Sequence, residues 1–134
     1  MKYLLDTNIF LFILKGEFRQ LSAAQAALVT DHANTFALSA ASLLEMAMKH
    51  RKNQLNIAGK FPELVQQAVQ QQRIHLLPIL EAHAWQATQL PVQPTHNDPM
   101  DLLILAQAIY EDMPLLSTDG KFPWYVPHGL HLIP

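Results

Sequence analysis

The stretch YLLDTNIFLF, residues 3 to 12, joins a short apolar run, an acidic residue and a second apolar run. Tyr3, Leu4 and Leu5 are typical of a buried strand, and the apolar pattern resumes at Ile9. Asp6 lies between the two runs, although an aspartate is rarely buried unless it is paired or binds a metal ion. A carboxylate at the end of a buried strand is therefore the first candidate for a functional group.

The composition indicates one compact domain without a basic surface. The chain has 134 residues, of which 50% are hydrophobic and 15% are charged, and its formal net charge is −2. We therefore expect a single domain over residues 1–134 with a sizeable core. Because the net charge is slightly negative, local lysines or bound cations would have to attract any nucleic acid.

Cysteine content and hydrophobic runs narrow the class of protein further. The sequence has no cysteine, which excludes a disulfide framework, a thiolate zinc site and a catalytic thiol, and fits a reducing cytosol. The longest apolar run, IFLFIL at residues 9–14, is far shorter than the roughly 20 residues that cross a bilayer. Asp6 also interrupts any signal-peptide pattern, so we expect a soluble, cytoplasmic protein that makes no membrane contact.

Short apolar runs alternate with longer helical patterns, which predicts an α/β fold with a central, mainly parallel sheet of four or five strands flanked by helices. The predicted strands are Lys2–Leu5, Thr35–Leu38, Ile74–Ile79, Pro114–Ser117 and a fifth within LHLI at residues 130–133. The predicted helices are IFLFILK at 9–15, a segment that begins at an N-cap Ser22, Ser42–Lys52, FPELVQQAVQQQ at 61–72, EAHAWQATQL at 81–90 and MDLLILAQAIYED at 100–112.

Local signals refine two of these helices. Ser42 and Glu45 form an S-x-x-E pattern, which predicts that the helix starts at Ser42. Asp98 followed by Pro99 predicts an N-cap and a first helical residue for the helix over 100–112. In the preceding helix we expect Trp85 to lie in the core.

Four acidic residues occupy equivalent places after the predicted strands. Asp6 directly follows the first strand and Asp119 the fourth, whereas Glu45 and Asp101 lie in the first turns of helices after the second and third strands. In an open parallel sheet these positions share the carboxyl edge, where such folds bind ligands. Each acid taken alone also has a structural interpretation, as a helix cap, a capping-box partner or a turn residue.

Four ionised carboxylates at one edge repel one another, by on the order of 4 kcal/mol for a pair at ~4 Å and an effective dielectric constant of about 20. No lysine or arginine is adjacent to any of the four in the sequence, so a bound cation is the expected counter-charge. Oxygen ligands without cysteine favour Mg²⁺ or Mn²⁺ over zinc. Carboxylates that hold such an ion are typical of phosphoryl-transfer sites, which favours metal-dependent hydrolysis of a phosphodiester.

Three stretches resemble the PIN domain family, and in particular the VapC-type toxins of bacterial toxin–antitoxin pairs. They are YLLDTNIF at 3–10, SAASLLEMAMKHRKNQL at 39–55 and LPVQPTHNDPMDLLILAQAIYEDMPLLSTDGKF at 90–122. The third is the most specific, because it is similar to the family's loop, DP-x-D, helix, strand and T-x-D signature almost without gaps. The resemblance covers nearly the whole chain, and only about the last ten residues add little to it.

The resemblance implies polar support at the site from Asn8 and Thr118. Asp98 matches the first aspartate of DP-x-D, and we expect it mainly to cap the helix, with an outer role at the metal as the alternative. Leu102 departs from the pattern, because relatives often carry arginine there, so a contact made by that arginine is in doubt here. The implied catalytic residues, which are also the implied metal ligands, are Asp6, Glu45, Asp101 and Asp119.

The resemblance also implies an activity and partners. One or two Mg²⁺ or Mn²⁺ ions held by Asp6, Asp101 and Glu45 would activate water for attack on an RNA phosphodiester, and Asp119 would bind a second ion or orient its waters. Single-stranded or looped RNA is the expected substrate of this endoribonuclease. Family membership further implies a homodimer and a small antitoxin whose helix and basic side chain block each site.

Two groups of residues have alternative interpretations. The main basic concentration is either a solvated face or an RNA contact, and it comprises Lys49, Arg51, Lys52 and Lys60. Of the seven histidines, His96 precedes Asp98 most closely, and local hydrogen bonding is a better explanation for it than catalysis.

Two other functions remain as alternatives. A phosphatase of the haloacid-dehalogenase type would use an aspartate after the first strand, but it needs a second aspartate where this chain has Asn8. No glycine-rich phosphate loop is present, which disfavours nucleotide-dependent chemistry. A PIN-like module that binds RNA or protein without cutting is the non-enzymatic alternative, and the presence of all four acids disfavours it.

Overall fold

A computed structural model describes residues 1–95 and 98–134 of the chain. Five strands form one sheet, and every neighbouring pair of strands is parallel. The strands are β1 (Lys2–Leu5), β2 (Thr35–Ser39), β3 (Ile74–Leu77), β4 (Leu115–Leu116) and β5 (Leu132–Ile133). Their order across the sheet is β3-β2-β1-β4-β5. The predicted α/β architecture is confirmed, although β3 and β4 are shorter than the apolar runs that predicted them.

Helices connect the strands in the predicted alternation. They are α1 (Thr7–Leu14), α2 (Ala23–Thr30), α3 (Ala40–Arg51), α4 (Phe61–Gln71), α5 (Glu81–Thr88) and α6 (Pro99–Tyr110), with 3₁₀ segments at Phe18–Gln20 and Phe122–His128. Within the described ranges, none of these helices has the length and apolar character needed to cross a membrane.

The sheet separates two hydrophobic clusters, because successive side chains of a strand point to opposite faces. Leu5 packs in one cluster with residues of α1, α2 and α4. Leu4 packs in the other with residues of α6 and the second 3₁₀ segment. Helix α3 contributes to both, through Met46 to the first cluster and through Ala41 to the second. Both faces of the sheet are therefore covered, and α3 is fixed by apolar contacts on two sides.

The start of α3 differs from the prediction. The N-cap is Ser39, whose side chain accepts a hydrogen bond from the backbone N–H of Ala41, so the predicted start at Ser42 is wrong. Ser42 lies inside the helix, where its buried hydroxyl accepts a hydrogen bond from the Thr7 hydroxyl at 2.9 Å. As a result Glu45 lies in the second turn of α3 and not in the first, and it is not the capping-box partner of Ser42.

The expected burial of Trp85 is also wrong, since this side chain is 63% exposed. The buried position of α5 is taken by His83, which is 0% exposed, and two residues further on a helix points about 200° away. The ring of His83 accepts a hydrogen bond at Nδ1 from the backbone N–H of Leu80. The proton therefore resides on Nε2, which lies 2.9 Å from Glu111 Oε1. This bond joins α5 to the end of α6.

The buried side chain of Gln25 ties α2 to the two strands β4 and β5. Its amide Nε2 donates to the backbone oxygens of Ser117 at 3.2 Å and Ile133 at 3.0 Å. Its Oε1 accepts from the backbone N–H of Ser22, which completes the capping box of α2. Since β5 has only two residues in the ladder, the bond from Gln25 to Ile133 adds to the few backbone hydrogen bonds that hold this edge of the sheet.

We expect Gln25→Ala to lower the free energy of unfolding by about 1–3 kcal/mol, because it removes the side-chain donor to the Ser117 carbonyl, whereas the Ile133 carbonyl still accepts from the backbone N–H of Ser117. Urea unfolding followed by circular dichroism measures this change. Gln66→Ala, at an exposed position of α4, is the matched control and should stay within about 0.5 kcal/mol of the unsubstituted protein. Equal values for the two variants would mean that other donors replace the Gln25 amide.

Candidate metal centre

The carboxyl edge of the sheet gathers the acidic residues that the sequence singled out. Asp6 follows β1 and is the N-cap of α1, and Asp119 follows β4 by three residues. Helix α6 runs back to the start of β4, so its first turn with Asp101 lies towards the same edge. Because all five strands are parallel, these positions share one end of the sheet.

Asp6 is a buried carboxyl group, only 5% exposed. Its Oδ1 accepts a hydrogen bond from the backbone N–H of Thr7 at 2.9 Å, and its Oδ2 accepts one from the Ser117 hydroxyl at 2.7 Å. Burial raises the pKa of Asp6 from its ordinary value of 3.8 to about 6, the two hydrogen bonds oppose the rise, and the charges of Asp101 and Asp119 add to it. The repulsion expected from the sequence therefore acts on this group.

Three carboxyl groups converge most tightly, and they are not the predicted four. One oxygen from each of Glu45, Asp98 and Asp101 lies within 4.8 Å of the others, an arrangement that could hold a metal ion. Among the described residues, neither Asp6 nor Asp119 belongs to this close group, although the charges of Asp101 and Asp119 both act on Asp6. The predicted capping role of Asp98 is confirmed, because its Oδ1 accepts from the backbone N–H of Met100 at 2.9 Å. Asp98 thus caps α6 and also lies with the acids.

Glu45 presents two oxygens in different surroundings. Its Oε1 is buried and has no hydrogen-bond partner among the described residues. Its Oε2 lies 3.6 Å from the Nζ atom of Lys49, one helical turn later. The sequence showed no cation adjacent to an acid in the chain, but the helix brings this lysine into contact. Lys49 is therefore a counter-ion of the acidic group, and its ion pair uses Oε2 of Glu45 and not Oε1.

The other predicted residues lie around this group. Asp119 is half-buried, and its Oδ1 accepts from the backbone N–H of Lys121 at 2.8 Å, as in an ordinary turn. Asn8 and Thr118 are exposed beside Asp6 and Asp119 in the chain, and their supporting role stays a prediction. His96 lies outside the described residues.

The departure at Leu102 has a packing explanation. Leu102 is half-buried and packs against the second hydrophobic cluster. It also lines an apolar pocket together with Leu90, Val92 and Pro99. An apolar side chain at this position therefore stabilises the start of α6, which carries Asp98 and Asp101, where relatives often use an arginine.

Sequence reasoning missed three polar residues at the site. Ser117 donates to Asp6 Oδ2 and accepts from the backbone N–H of Asp119 at 3.0 Å, so one hydroxyl joins two of the acids. Thr7 and Ser42 join the starts of α1 and α3. In the sequence, the signal for Ser117 is a serine that ends an otherwise apolar buried strand.

Tyr125 is a further neighbour of the acids that the sequence did not indicate. Its side chain is buried in the second hydrophobic cluster. Burial raises the pKa of the Tyr125 phenol, and the charges of Asp101 and Asp119 raise it further. The phenol therefore lies close enough to the acidic edge to experience its charge.

The residues present fit a hard divalent cation. Glu45, Asp98 and Asp101 offer oxygen ligands only, which suits Mg²⁺ or Mn²⁺. The buried and unpartnered Oε1 of Glu45 is a group that an ion would satisfy. The fold and this edge define a class of protein: an α/β domain with a candidate divalent-cation site where parallel strands end.

Comparison with known families is consistent with this class. The family model described as PIN domain matches residues 3–125. The chain belongs to the PIN domain family. A search of curated protein sequences found no match.

Solved structures share the fold over almost the whole chain. VapBC2 from Rickettsia felis, bound to a DNA fragment from their promoter, gives a TM-score of 0.69 at 22% identity and covers 99% of this chain and 98% of its own. DNA-bound VapBC from Salmonella typhimurium gives 0.67 at 16% identity, with 99% and 97% covered. A toxin–antitoxin complex from Klebsiella pneumoniae gives 0.63 at 21% identity, with 98% and 96% covered. At these identities the likeness shows a common fold.

The burial of Asp6 predicts a stability that falls as the pH rises. The pKa of Asp6 is about 6 in the folded protein, whereas its ordinary value, taken for the unfolded chain, is 3.8. Between these two pH values the folded state therefore binds more protons than the unfolded state. Stability therefore declines from pH ~4 to pH ~6, by about 3 kcal/mol when ionisation is complete. In EDTA at pH 7.5, Asp6→Asn should unfold at a higher urea concentration than the unsubstituted protein, and the difference should vanish near pH 4.

Asp112→Asn is the control for this measurement. Asp112 is an exposed aspartate with a left-handed backbone, φ 52°, which asparagine also tolerates. The control should change the free energy of unfolding by less than about 0.5 kcal/mol. An Asp6→Asn variant that gains no more than this would contradict the cost assigned to the buried charge.

Proposed function

We propose that this chain is a Mg²⁺- or Mn²⁺-dependent endoribonuclease and the toxin of a VapBC-like toxin–antitoxin pair. The observation that carries the proposal is the group of oxygens from Glu45, Asp98 and Asp101 within 4.8 Å, in a chain of the PIN domain family. The buried, unpartnered Oε1 of Glu45 supports it. A structural capping role alone accounts for Asp98 but not for the convergence of Glu45 upon it.

We assign the residues to roles from their positions. Glu45, Asp98 and Asp101 would hold the ion, and Asp6 would complete its ligands from the end of β1. Ser117 and the backbone of Thr7 hold the Asp6 carboxylate in one orientation. The remaining proposed residues are Asp119, as a second ligand or a residue that orients water, and Asn8 and Thr118 as polar support.

A bound Mg²⁺ or Mn²⁺ would lower the pKa of a water and neutralise charge that develops on the phosphate. The protein's own part is to position the acids, and the hydrogen bonds from Ser117 and Thr7 to Asp6 partly offset the cost that burial imposes on its ionised form. Because the pKa of Asp6 is about 6 without an ion, protons compete with the ion below that pH. Unpaired RNA is the proposed substrate, since a splayed strand can bring its phosphate to a recessed acidic edge.

The partners are proposed from the relatives. The solved neighbours include VapBC proteins and a toxin–antitoxin complex, which supports an antitoxin as the partner of this chain. We further propose a homodimer and a cytoplasmic site of action, the latter in keeping with a chain that has no cysteine.

The activity is tested with purified protein that has been separated from any co-purifying partner. It should cut single-stranded RNA with Mg²⁺ or Mn²⁺ and should stop with EDTA. Asp6→Asn and Asp101→Asn should each lower the cleavage rate by more than about 100-fold, which exceeds the usual effect of outer residues at metal sites. Gel electrophoresis of end-labelled RNA measures the rate.

Glu63→Gln is the matched control, because Glu63 is an exposed acid of α4 paired with Lys60. It should cut at the normal rate. Asp98→Asn keeps an oxygen that can cap α6 and should weaken Mn²⁺ binding without lowering the melting temperature. Cleavage that survives in both Asp6→Asn and Asp101→Asn would refute the proposed site. Tight Mn²⁺ binding without cleavage of any RNA would favour a non-cleaving module or another phosphohydrolase.

The assembly is tested by light scattering on a size-exclusion column. For the isolated chain of 15.1 kDa we expect twice that mass. Co-expression with the protein encoded next to it should yield a larger complex that no longer cuts RNA. A monomer at all concentrations would contradict the homodimer and leave the cleavage site untouched.

A further inference from the structure

Lys49 lies at the outer margin of the acidic group. Its Nζ is 3.6 Å from Glu45 Oε2, and its side chain is 44% exposed whereas that of Glu45 is 20% exposed. The ammonium group is therefore carried by a side chain that is more exposed than the acid with which it pairs. An RNA phosphate that approaches Glu45, Asp98 and Asp101 from solution would meet this positive charge.

Three other basic residues lie at the opposite edge of the sheet or have other partners. Lys2 begins β1 and Arg73 directly precedes β3, so both lie at the amino edge of the sheet, opposite the acids. The guanidinium of Arg73 contacts the ring of His32 at 2.7 Å. Lys60 pairs with Glu63 at 4.0 Å. Among lysines and arginines of the described chain, Lys49 alone has its charged nitrogen within 4 Å of one of the clustered acids.

The ion pair leaves the lysine free to change partners. Glu45 contacts Lys49 through Oε2, and its Oε1 is buried and has no hydrogen-bond partner in the described part of the chain. A divalent ion on the acids would withdraw negative charge from Glu45 and repel the ammonium group. A lysine is a hydrated point charge on a flexible stem and binds phosphate in that form. The nearest available anion would then be the RNA backbone.

We propose that Lys49 is a phosphate-binding residue of the RNA site and that Glu45 is its counter-ion while no divalent ion is bound. The inference rests on the proposed endoribonuclease function and goes beyond the acidic residues that define it. The competing explanation is an ordinary Glu–Lys pair four residues apart, which stabilises a helix surface and nothing more. The pair Lys60–Glu63, on α4 and its N-cap, offers a matched comparison.

The test compares Lys49→Met, Lys49→Arg and Lys60→Met with the unsubstituted protein. Binding of a fluorescent single-stranded RNA is followed by anisotropy in Ca²⁺, with gels to verify that the RNA stays intact. Lys49→Met should weaken binding by about fivefold to tenfold, as for one lost charged contact. It should also reduce the slope of log K against log salt by about 0.7, the value for one phosphate contact on a single strand. Lys49→Arg should bind normally, and so should Lys60→Met.

Mn²⁺ affinity, measured by electron paramagnetic resonance without RNA, separates the possible failures. Lys49→Met should bind Mn²⁺ at least as tightly as the unsubstituted protein, because a like charge has been removed. Loss of Mn²⁺ binding in this variant would mean that Lys49 only orients Glu45, and equal RNA binding by Lys49→Met and Lys60→Met would mean a helix-surface pair. Either result overturns the inference while the proposed function stands. An unsubstituted protein that binds no Mn²⁺ would overturn both.

Discussion

The burial of one carboxyl group at the end of the central strand is the constraint on which the rest of the structure depends. Asp6 ends β1, caps α1 and accepts hydrogen bonds from the Thr7 backbone and the Ser117 hydroxyl. Since β1 lies in the middle of the sheet, with β2 on one side and β4 on the other, its end is the point where the connections of both halves meet. Any group placed there is surrounded by the starts of several helices.

The acids are brought together by apolar packing and not by mutual attraction. Helix α3 is fixed by Met46 in one hydrophobic cluster and by Ala41 in the other. Helix α6 is fixed by residues such as Leu105 in the second cluster. These contacts determine where Glu45 and Asp101 lie, despite the repulsion between their charges. The free energy of the two clusters therefore offsets a repulsive arrangement, as is common where a site needs a geometry that stability alone would not select.

The sequence was sufficient for those features that depend on local pattern. Alternating apolar runs predicted the parallel sheet, and the Asp98–Pro99 pair predicted the start of α6 because both signals act within one turn. It failed where the outcome depends on competition between similar residues. Ser39 and Ser42 are both candidate caps in the sequence, and in the structure Ser39 is the cap whereas Ser42 lies inside the helix with its hydroxyl bonded to Thr7. Trp85 has the hydrophobicity of a core residue, but His83 occupies the inward position of α5 through its bonds to Leu80 and Glu111.

In the candidate site, too, some features follow from the local sequence pattern and others from tertiary packing. The acids at strand ends could be found from spacing, because parallel strands bring those ends together whatever the loops do. The addition of Asp98 to the close group and the contact of Lys49 with Glu45 could not. They depend on how α6 approaches α3 and on which rotamer a long side chain adopts, and neither is encoded by residue order.

The contact between Lys49 and Glu45 matters for function because of the charge of the site. Under the proposed function, a chain of net charge −2 with its acids gathered at one edge would repel the polyanion that it binds there. A divalent ion would neutralise much of the negative charge of the acids, and the ammonium group of Lys49 adds a further positive charge beside them. The acidic residues alone would define a site for a cation. A cation site that also receives RNA needs positive charge facing the solvent, and in our proposal Lys49, in the third turn of α3, supplies it.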